Sequence, residues 1–319
     1  MKTNLWLVIP CFNEEQVLKL TIQKLHSLMD QMQAEEIISA DSKILFVDDG
    51  SKDHTWEIVK DECCRNPLFI GVKLSRNKGH QNALLAGMAY ATGKCDCVIT
   101  LDADLQDDIN AIPEFVHAFE QGYQVVYGVR SSRQTDTGFK KNTASIFYKM
   151  MKYLGAETVD NHADYRLLGD KALRALGDYN ETNMFLRGIV PLIGFKSTQV
   201  FYERQERAAG KTKYPLKKMV SFALDGITSF SVRPLRVIAL LGILCSGLSV
   251  LGLLYALISY IANVTVPGWT AIVCSIWLLG GIQLLCLGVV GEYIGKIFSE
   301  VKQRPRYIVE EVISADKMT

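Results

Sequence analysis

The sequence predicts an α/β protein, a mainly parallel sheet with helices on both faces, followed by a C-terminal pair of apolar helices. Three observations carry that expectation. Short β-rich apolar runs alternate with amphipathic stretches of helical length through the first 130 residues. Polar clusters recur where those apolar runs end. Between Arg236 and Glu292 the chain holds 55 consecutive residues without Asp, Glu, Lys, Arg or His.

The apolar runs are LWLVIP at 5–10, KILFVDD at 43–49, FIGVKLS at 69–75, CVITLDAD at 97–104 and VVYGVR at 125–130. Between them stand Glu14 to Met32, Thr55 to Cys64, His80 to Ala91 and Ile109 to Glu120, each reading as a helix. Alternation of this kind produces a parallel sheet, because parallel neighbours need a crossover and a helix supplies it. No internal repeat or low-complexity segment interrupts the pattern. Asp53 or Ser51 is placed to cap the helix starting near Thr55.

The uncharged run is too long for a soluble core helix. It breaks at Asn263-Val-Thr-Val-Pro-Gly268, leaving two stretches near 236–262 and 269–293. At ~1.5 Å per residue each crosses the ~30 Å hydrocarbon layer. Lys217, Lys218, Arg233 and Arg236 precede the first stretch, and Lys296, Lys302, Arg304 and Arg306 follow the second, whereas the turn carries no charge. The positive-inside bias then puts both long ends in the cytoplasm. The N-terminus shows no charged n-region, apolar h-region and cleavage site in series. Eight cysteines without CxxC spacing, three of them inside the apolar stretches, read as reduced packing residues and not as disulfides or a zinc site.

Charge balance excludes a general affinity for nucleic acid, since 35 Lys and Arg face 34 Asp and Glu for a net charge of +1. Two nucleotide-binding motifs are also absent. No two glycines stand two apart, so there is no G-x-G-x-x-G, and Gly87 to Gly93-Lys94 is one residue too long for a P-loop and lacks the following Ser or Thr.

Ligands of open α/β sheets bind beyond the carboxyl ends of the strands. At those ends lie Asn13-Glu14-Glu15, Asp48-Asp49-Gly50-Ser51, Arg76-Asn77 and Asp102-Ala103-Asp104. A D-x-D pair after an apolar strand converges two hard oxygen donors, the chemistry that Mg²⁺ or Mn²⁺ takes when phosphates complete its shell. A lone D-x-D is more often a solvated loop; its setting among three other polar strand ends favours a site. A diphosphate also needs cations, and Arg130, Arg204, Arg207, Lys211 and Lys213 offer them. The last four sit in ERQERAAGKTKY beside the apolar run, where attraction to anionic lipid is the alternative reading.

The motifs VIPCFNEE (8–15), VDDGSKDHT (47–55), LDADLQD (101–107), YGVRSSR around Arg130, HADYRLL (162–168) and RAAGKTKY (207–214), with the paired apolar stretches, resemble family 2 glycosyltransferases of the GT-A, Rossmann-like fold. Among these they are most similar to the dolichol-phosphate mannose synthase and bactoprenol glucosyltransferase group. The resemblance implies that Pro10, Asn13, Glu14 and Asp49 line the nucleotide pocket, with Arg130, Arg204 and Lys211 also on the donor. It implies that Asp102 and Asp104 carry metal and diphosphate, with Gln106 a candidate third ligand, and that Arg207 and Lys213 hold phosphates. Asp164 would sit at the acceptor side, the alternative being a structural salt bridge with Arg166. Processive polysaccharide synthases of the same family add Q-x-x-R-W, but no Arg-Trp dipeptide exists here.

The expected function is thus inverting, metal-dependent transfer of one sugar, glucose from UDP-glucose as first choice with UDP-N-acetylhexosamine, UDP-aminoarabinose derivatives and GDP-mannose open, to polyprenyl (undecaprenyl) phosphate at the cytoplasmic membrane face. The alternatives are transfer to another membrane lipid such as diacylglycerol or ceramide, or a non-catalytic membrane scaffold of the same fold. Residues 1–213 would form the catalytic domain, 214–235 an interfacial helix or else a helix of the catalytic core, 236–293 two transmembrane helices and 294–319 a cytoplasmic tail. Expected partners are the nucleotide-sugar, the lipid phosphate and the membrane. Glycines 242, 247, 252, 280, 281 and 288 would permit close helix packing in a homo-oligomer.

Overall fold

A computed structural model of the chain describes residues 2–131, 162–179, 181, 186–203 and 268–315, with isolated positions between 235 and 258. The described strands are β1 (Leu5–Cys11), β2 (Lys43–Asp48), β3 (Phe69–Leu74), β4 (Cys97–Thr100), β5 (Val125–Arg130), β6 (His162–Gly169), β7 (Ser197–Tyr202) and β8 (Val309–Ser314). The helices are α1 (Leu18–Ala34), α2 (Thr55–Arg65), α3 (His80–Ala91), α4 (Ile112–Glu120), α5 (Asp170–Gly177), α6 (Leu186–Leu192) and α7 (Trp269–Val301). The strands form one sheet in the order β7-β5-β6-β4-β1-β2-β3-β8. Parallel pairing joins β4-β1-β2-β3 and β5-β7, while β6 and β8 run antiparallel to their neighbours.

Burial on both faces explains why β1 and β2 read as apolar runs and not as an alternation. One side of the sheet turns Leu5, Leu7, Ile9, Ile44 and Phe46 into a core with Leu18, Ile22, Leu25 and Met29 of α1 and Ile112, Phe115 and Val116 of α4. Each such side chain contributes about 1.5–3 kcal/mol relative to exposure. On the other side α3 lies close against β1 and β2. A Cβ at Gly87 would come within 2.4 Å of Val8 Cγ1 and 2.8 Å of Val47 Cγ2, so glycine sets that approach.

Chain reversals at the strand ends aim the loops. Gly50 adopts φ +68°, and a Cβ there would stand 2.7 Å from the Arg76 carbonyl carbon and the Asn77 nitrogen. The first helix begins at Leu18 and not at Glu14, because Asn13 takes φ 55° and Glu14 to Val17 form a turn closed by Val17 N–H to Glu14 O at 3.1 Å. Strand β4 stops at Thr100, which releases Leu101 to Asp107 as a loop. The N-cap of α2 is His54, without a side-chain cap bond, and not Asp53 or Ser51; Asp53, one residue earlier, accepts the Thr55 amide at 3.0 Å.

Two compact units divide the chain: Met1–Tyr148 with Glu157–Tyr214 and Arg304–Thr319, and Lys149–Ala156 with Pro215–Gln303. In the second, every described position between Leu235 and Ile258 is helical. Among the described residues one helical stretch, Leu278–Val301, is long and apolar enough to cross a membrane. The expected interfacial helix at 214–231 lies outside the described residues.

Candidate active site

The carboxyl ends of β1, β2 and β4 converge with the loop before α3, as the polar clusters anticipate. Asn13 N–H donates to Ser51 Oγ at 3.0 Å and Asn13 Oδ1 accepts the Lys52 amide at 2.8 Å. Glu14 N–H reaches Thr55 Oγ1 at 2.8 Å, and Glu15 Oε2 accepts the His54 amide at 3.1 Å. These reciprocal bonds lace the β1 and β2 loops into one wall. Pro10 is buried opposite Val47, where β1 has outrun its pairing with β4. Asp49 closes the wall, each oxygen taking one backbone amide of the next loop, Lys78 at 2.7 Å and Gly79 at 2.8 Å.

The acidic loop is pinned along its length. Thr21 of α1 donates to the Ala103 carbonyl at 2.7 Å, and Asp104 Oδ1 accepts the Gln106 amide at 3.2 Å. Leu105 turns the loop at φ 54°. A non-glycine residue held left-handed costs on the order of 1 kcal/mol or more, and the surrounding bonds must hold it there. Gln106 and Asp107 are buried below. Burial pushes the Asp102 carboxyl up to about 6; His80 opposes that rise, and Asp107, Asp164 and Asp104 add to it.

Strand β6 brings Asp164 beside this loop. Arg166 donates to Asp164 Oδ1 at 2.5 Å, and Arg187 of α6 grips both oxygens, Nε to Oδ1 at 3.3 Å and Nη2 to Oδ2 at 3.0 Å. The salt bridge with Arg166 offered by the sequence is therefore present. His80, first residue of α3, stands with Nε2 3.5 Å from Asp102 and 3.7 Å from Asp164. Burial works to raise the Asp164 carboxyl, but Arg187 and then Arg166 outweigh it and hold it below the ordinary carboxylate range.

On the far side Arg130 ends β5. Its Nε donates to the Tyr202 hydroxyl at 3.3 Å, and its Nη2 lies 3.7 Å from Asp107. His80, Asp107, Arg187 and Tyr202 had no assigned role in the sequence reading. Only Asp107 lay inside a motif already singled out. Arg204, Arg207, Lys211 and Lys213 lie outside the described residues.

The donor set suits a hard divalent cation. Asp102 and Asp104 offer hard carboxylate oxygens on one loop, whereas the neighbouring Asp107 and Asp164 are already met by Arg130 and by Arg166 and Arg187. Among the described residues no three His, Cys, Asp or Glu side chains gather into a closed metal cage. Two carboxylates would be enough to hold a Mg²⁺ that takes its remaining ligands from water and substrate phosphate.

Comparison with known proteins adds to this geometry. Residues 6–177, more than half of the chain, match the glycosyl transferase family 2 model, and residues 233–297 match the GtrB C-terminal hairpin. YkoT of Bacillus subtilis strain 168, described as an uncharacterized glycosyltransferase, is 53% identical over 96% of this chain and 91% of its own. A prophage bactoprenol glucosyl transferase homolog of Escherichia coli K12 is 37% identical, covering 96% of this chain and 98% of its own. The bactoprenol glucosyl transferase of Shigella phage SfII is 36% identical over 96% and 97%. A solved mannosyltransferase of Pyrobaculum calidifontis overlaps at a TM-score of 0.45 with 13% identity, covering 92% of this chain and 88% of that one. By the family model and by relatives alike over nearly its whole length, the chain belongs to glycosyl transferase family 2 and is a glycosyltransferase.

Proposed function

We propose that the chain transfers one sugar from a nucleotide-sugar, UDP-glucose as first choice, to a polyprenyl phosphate at the cytoplasmic face of a membrane, with inversion at the anomeric carbon. The observation that carries this reading is the combination in one chain of a family 2 domain and a GtrB hairpin, matched nearly end to end by bactoprenol glucosyl transferases.

The geometry supports a mechanism without a strong general base. A phosphate monoester is already largely ionised near neutral pH and attacks as the anion. Asp164, tied to two guanidinium groups, is suited to holding charge and not to taking a proton. Catalysis then rests on positioning and on stabilising the departing nucleoside diphosphate. Asp102 and Asp104, with Gln106 nearby, would hold Mg²⁺ or Mn²⁺, which when bound supplies charge neutralisation on the diphosphate. Arg130 is proposed to share that load, and Arg204, Arg207, Lys211 and Lys213 to complete it. Pro10, Asn13, Glu14 and Asp49 are proposed to border the nucleotide. Residues 1–213 are assigned to catalysis, 214–235 to the bilayer surface, 236–293 to two crossings and 294–319 to the cytoplasmic side.

Purified protein incubated with radiolabelled UDP-glucose and Mg²⁺ or Mn²⁺ should label undecaprenyl phosphate and leave diacylglycerol unlabelled. Labelling of diacylglycerol alone would reassign the acceptor. No labelling of either lipid by any of UDP-glucose, UDP-N-acetylglucosamine and GDP-mannose would overturn the proposal.

A further inference from the structure

The geometry points to Tyr202 as a positioning residue of the transferase site, its hydroxyl fixing the separation between the acidic loop and Arg130. This rests on the reading that the loop and Arg130 share the donor diphosphate.

Tyr202 is the last residue of β7 and is 3% exposed. Its hydroxyl donates to Asp107 Oδ1 at 2.6 Å and accepts from Arg130 Nε at 3.3 Å. Arg130 Nη2 and Asp107 Oδ1 form an ion pair at 3.7 Å, too far for a good direct hydrogen bond, so the phenol adds a hydrogen-bonded link between them. The backbone locks the same corner, because the Tyr202 carbonyl accepts both the Ser131 amide and the Ser131 hydroxyl at 3.0 Å. The ring is held edge-on to Tyr165, 5.2 Å between centroids at 82°, and Tyr165 in turn donates to the Asp108 carbonyl at 3.0 Å. Two buried phenols thus tether adjacent residues of one loop.

Asp107 follows Asp104 after only Leu105 and Gln106, and Leu105 is held at φ 54°. An anchor on Asp107 therefore restrains where Asp104 can reach. The same hydroxyl holds Arg130, whose side chain is 30% exposed. One hydroxyl thus holds both Asp107, at the end of the acidic loop, and Arg130. Small displacements of such groups cost rate heavily, because electrostatic stabilisation depends on placement before reaction.

Tyr202→Phe keeps the ring and removes the link. With UDP-glucose and undecaprenyl phosphate, kcat should fall about 30-fold while KM for UDP-glucose changes less than about threefold, the pattern of a lost transition-state arrangement. Asp107→Asn should fall similarly, and the double variant should be no worse than the poorer single, since both break one network. Hydrogen exchange of the protein without substrates asks the same question independently: exchange should accelerate at 101–108 and 130–131 and stay unchanged in β1 and β2. A kcat within about threefold of wild type, or unaltered exchange in those segments, overturns the assignment. Wild-type protein that releases UDP to water but never labels undecaprenyl phosphate counts against the proposed acceptor, while the kcat comparison, made on UDP release, and the exchange comparison both stand.

Discussion

Asp164 shows why single residues were only partly readable. Its motif was visible, but its charge environment depends on Arg187, 23 residues away, and on His80 at the start of α3. Tyr202 and Asp107 are 95 residues apart, and nothing local marks either phenol or carboxylate as one of a pair. The Asp102-Ala103-Asp104 pair was legible because strand ends announce themselves by an apolar run stopping at acid. Asp164 also carries a stability prediction. Its carboxyl is held below the ordinary range in the folded state, so its contribution is fully present above the unfolded value of about 3.9 and is lost as pH falls through the lower folded value. Asp164→Ala leaves Arg166, which is 2% exposed, without its partner and should cost about 3–5 kcal/mol near neutral pH. Thermal melts from pH 7 down to 2 should show that gap between variant and wild type closing towards the acid end; a constant gap would show that the ion pair is not its source. Asp102→Asn and Asp104→Asn are expected to fold and insert normally yet lose transfer by about 100-fold or more, several kcal/mol of barrier. Near-normal turnover in both, with metal dependence unchanged, would remove the pair from the site.

At the scale of elements, five strands and four helices of the first 130 residues follow from strand-helix alternation, with ends shifted where loops take over. Strands β6, β7 and β8 did not declare themselves. In β6, HADYRLLG, the buried Asp164–Arg166 pair interrupts the apolar run that marks a central strand, so only its partners reveal it. β8, VEEVIS, carries two glutamates and comes after the apolar hairpin, where a tail was expected. It pairs antiparallel with β3 from Ile70↔Ser314 to Leu74↔Val309, covering an otherwise open edge. Glu311 accepts the Trp56 indole N–H at 3.2 Å and lies 3.4 Å from Lys60, and Glu310 lies 3.4 Å from Lys73. An uncovered apolar strand edge invites pairing with other chains. A chain ending at Lys302 should therefore form oligomers and aggregates in detergent, where light scattering of the full chain reads a defined species. Glu311→Ala, which removes one acceptor from the indole, should cost only about 1 kcal/mol. A truncated protein that stays monodisperse with the melting temperature of the full chain would show that β8 is dispensable.

For the whole molecule, sheet topology constrains how the chain meets a membrane. Strands before the hairpin and β8 after it belong to one sheet, so both flanks of residues 233–297 must lie on the same side. Only an even number of crossings satisfies that, and the hairpin supplies two if each arm spans. The exposed apolar side chains of α7 fit this, Leu284 being 72% exposed and Ile276 64% exposed. At ~1.5 Å per residue, the 24 residues of Leu278–Val301 are long enough to cross ~30 Å of hydrocarbon. We propose that the sheet lies on the cytoplasmic side, since Lys and Arg flank the hairpin and its turn has none. The exposed Cys64 of α2 is a built-in reporter of the catalytic side. In spheroplasts treated with a membrane-impermeant maleimide, Cys64 and an introduced Glu310→Cys should label only after permeabilisation. Val264→Cys, in the turn, should label in intact spheroplasts once Cys64 is replaced by Ser. Labelling of all three from one side would mean the hairpin does not cross. The reverse pattern would place the acidic loop away from cytoplasmic nucleotide-sugars, and the proposed donor could not reach it.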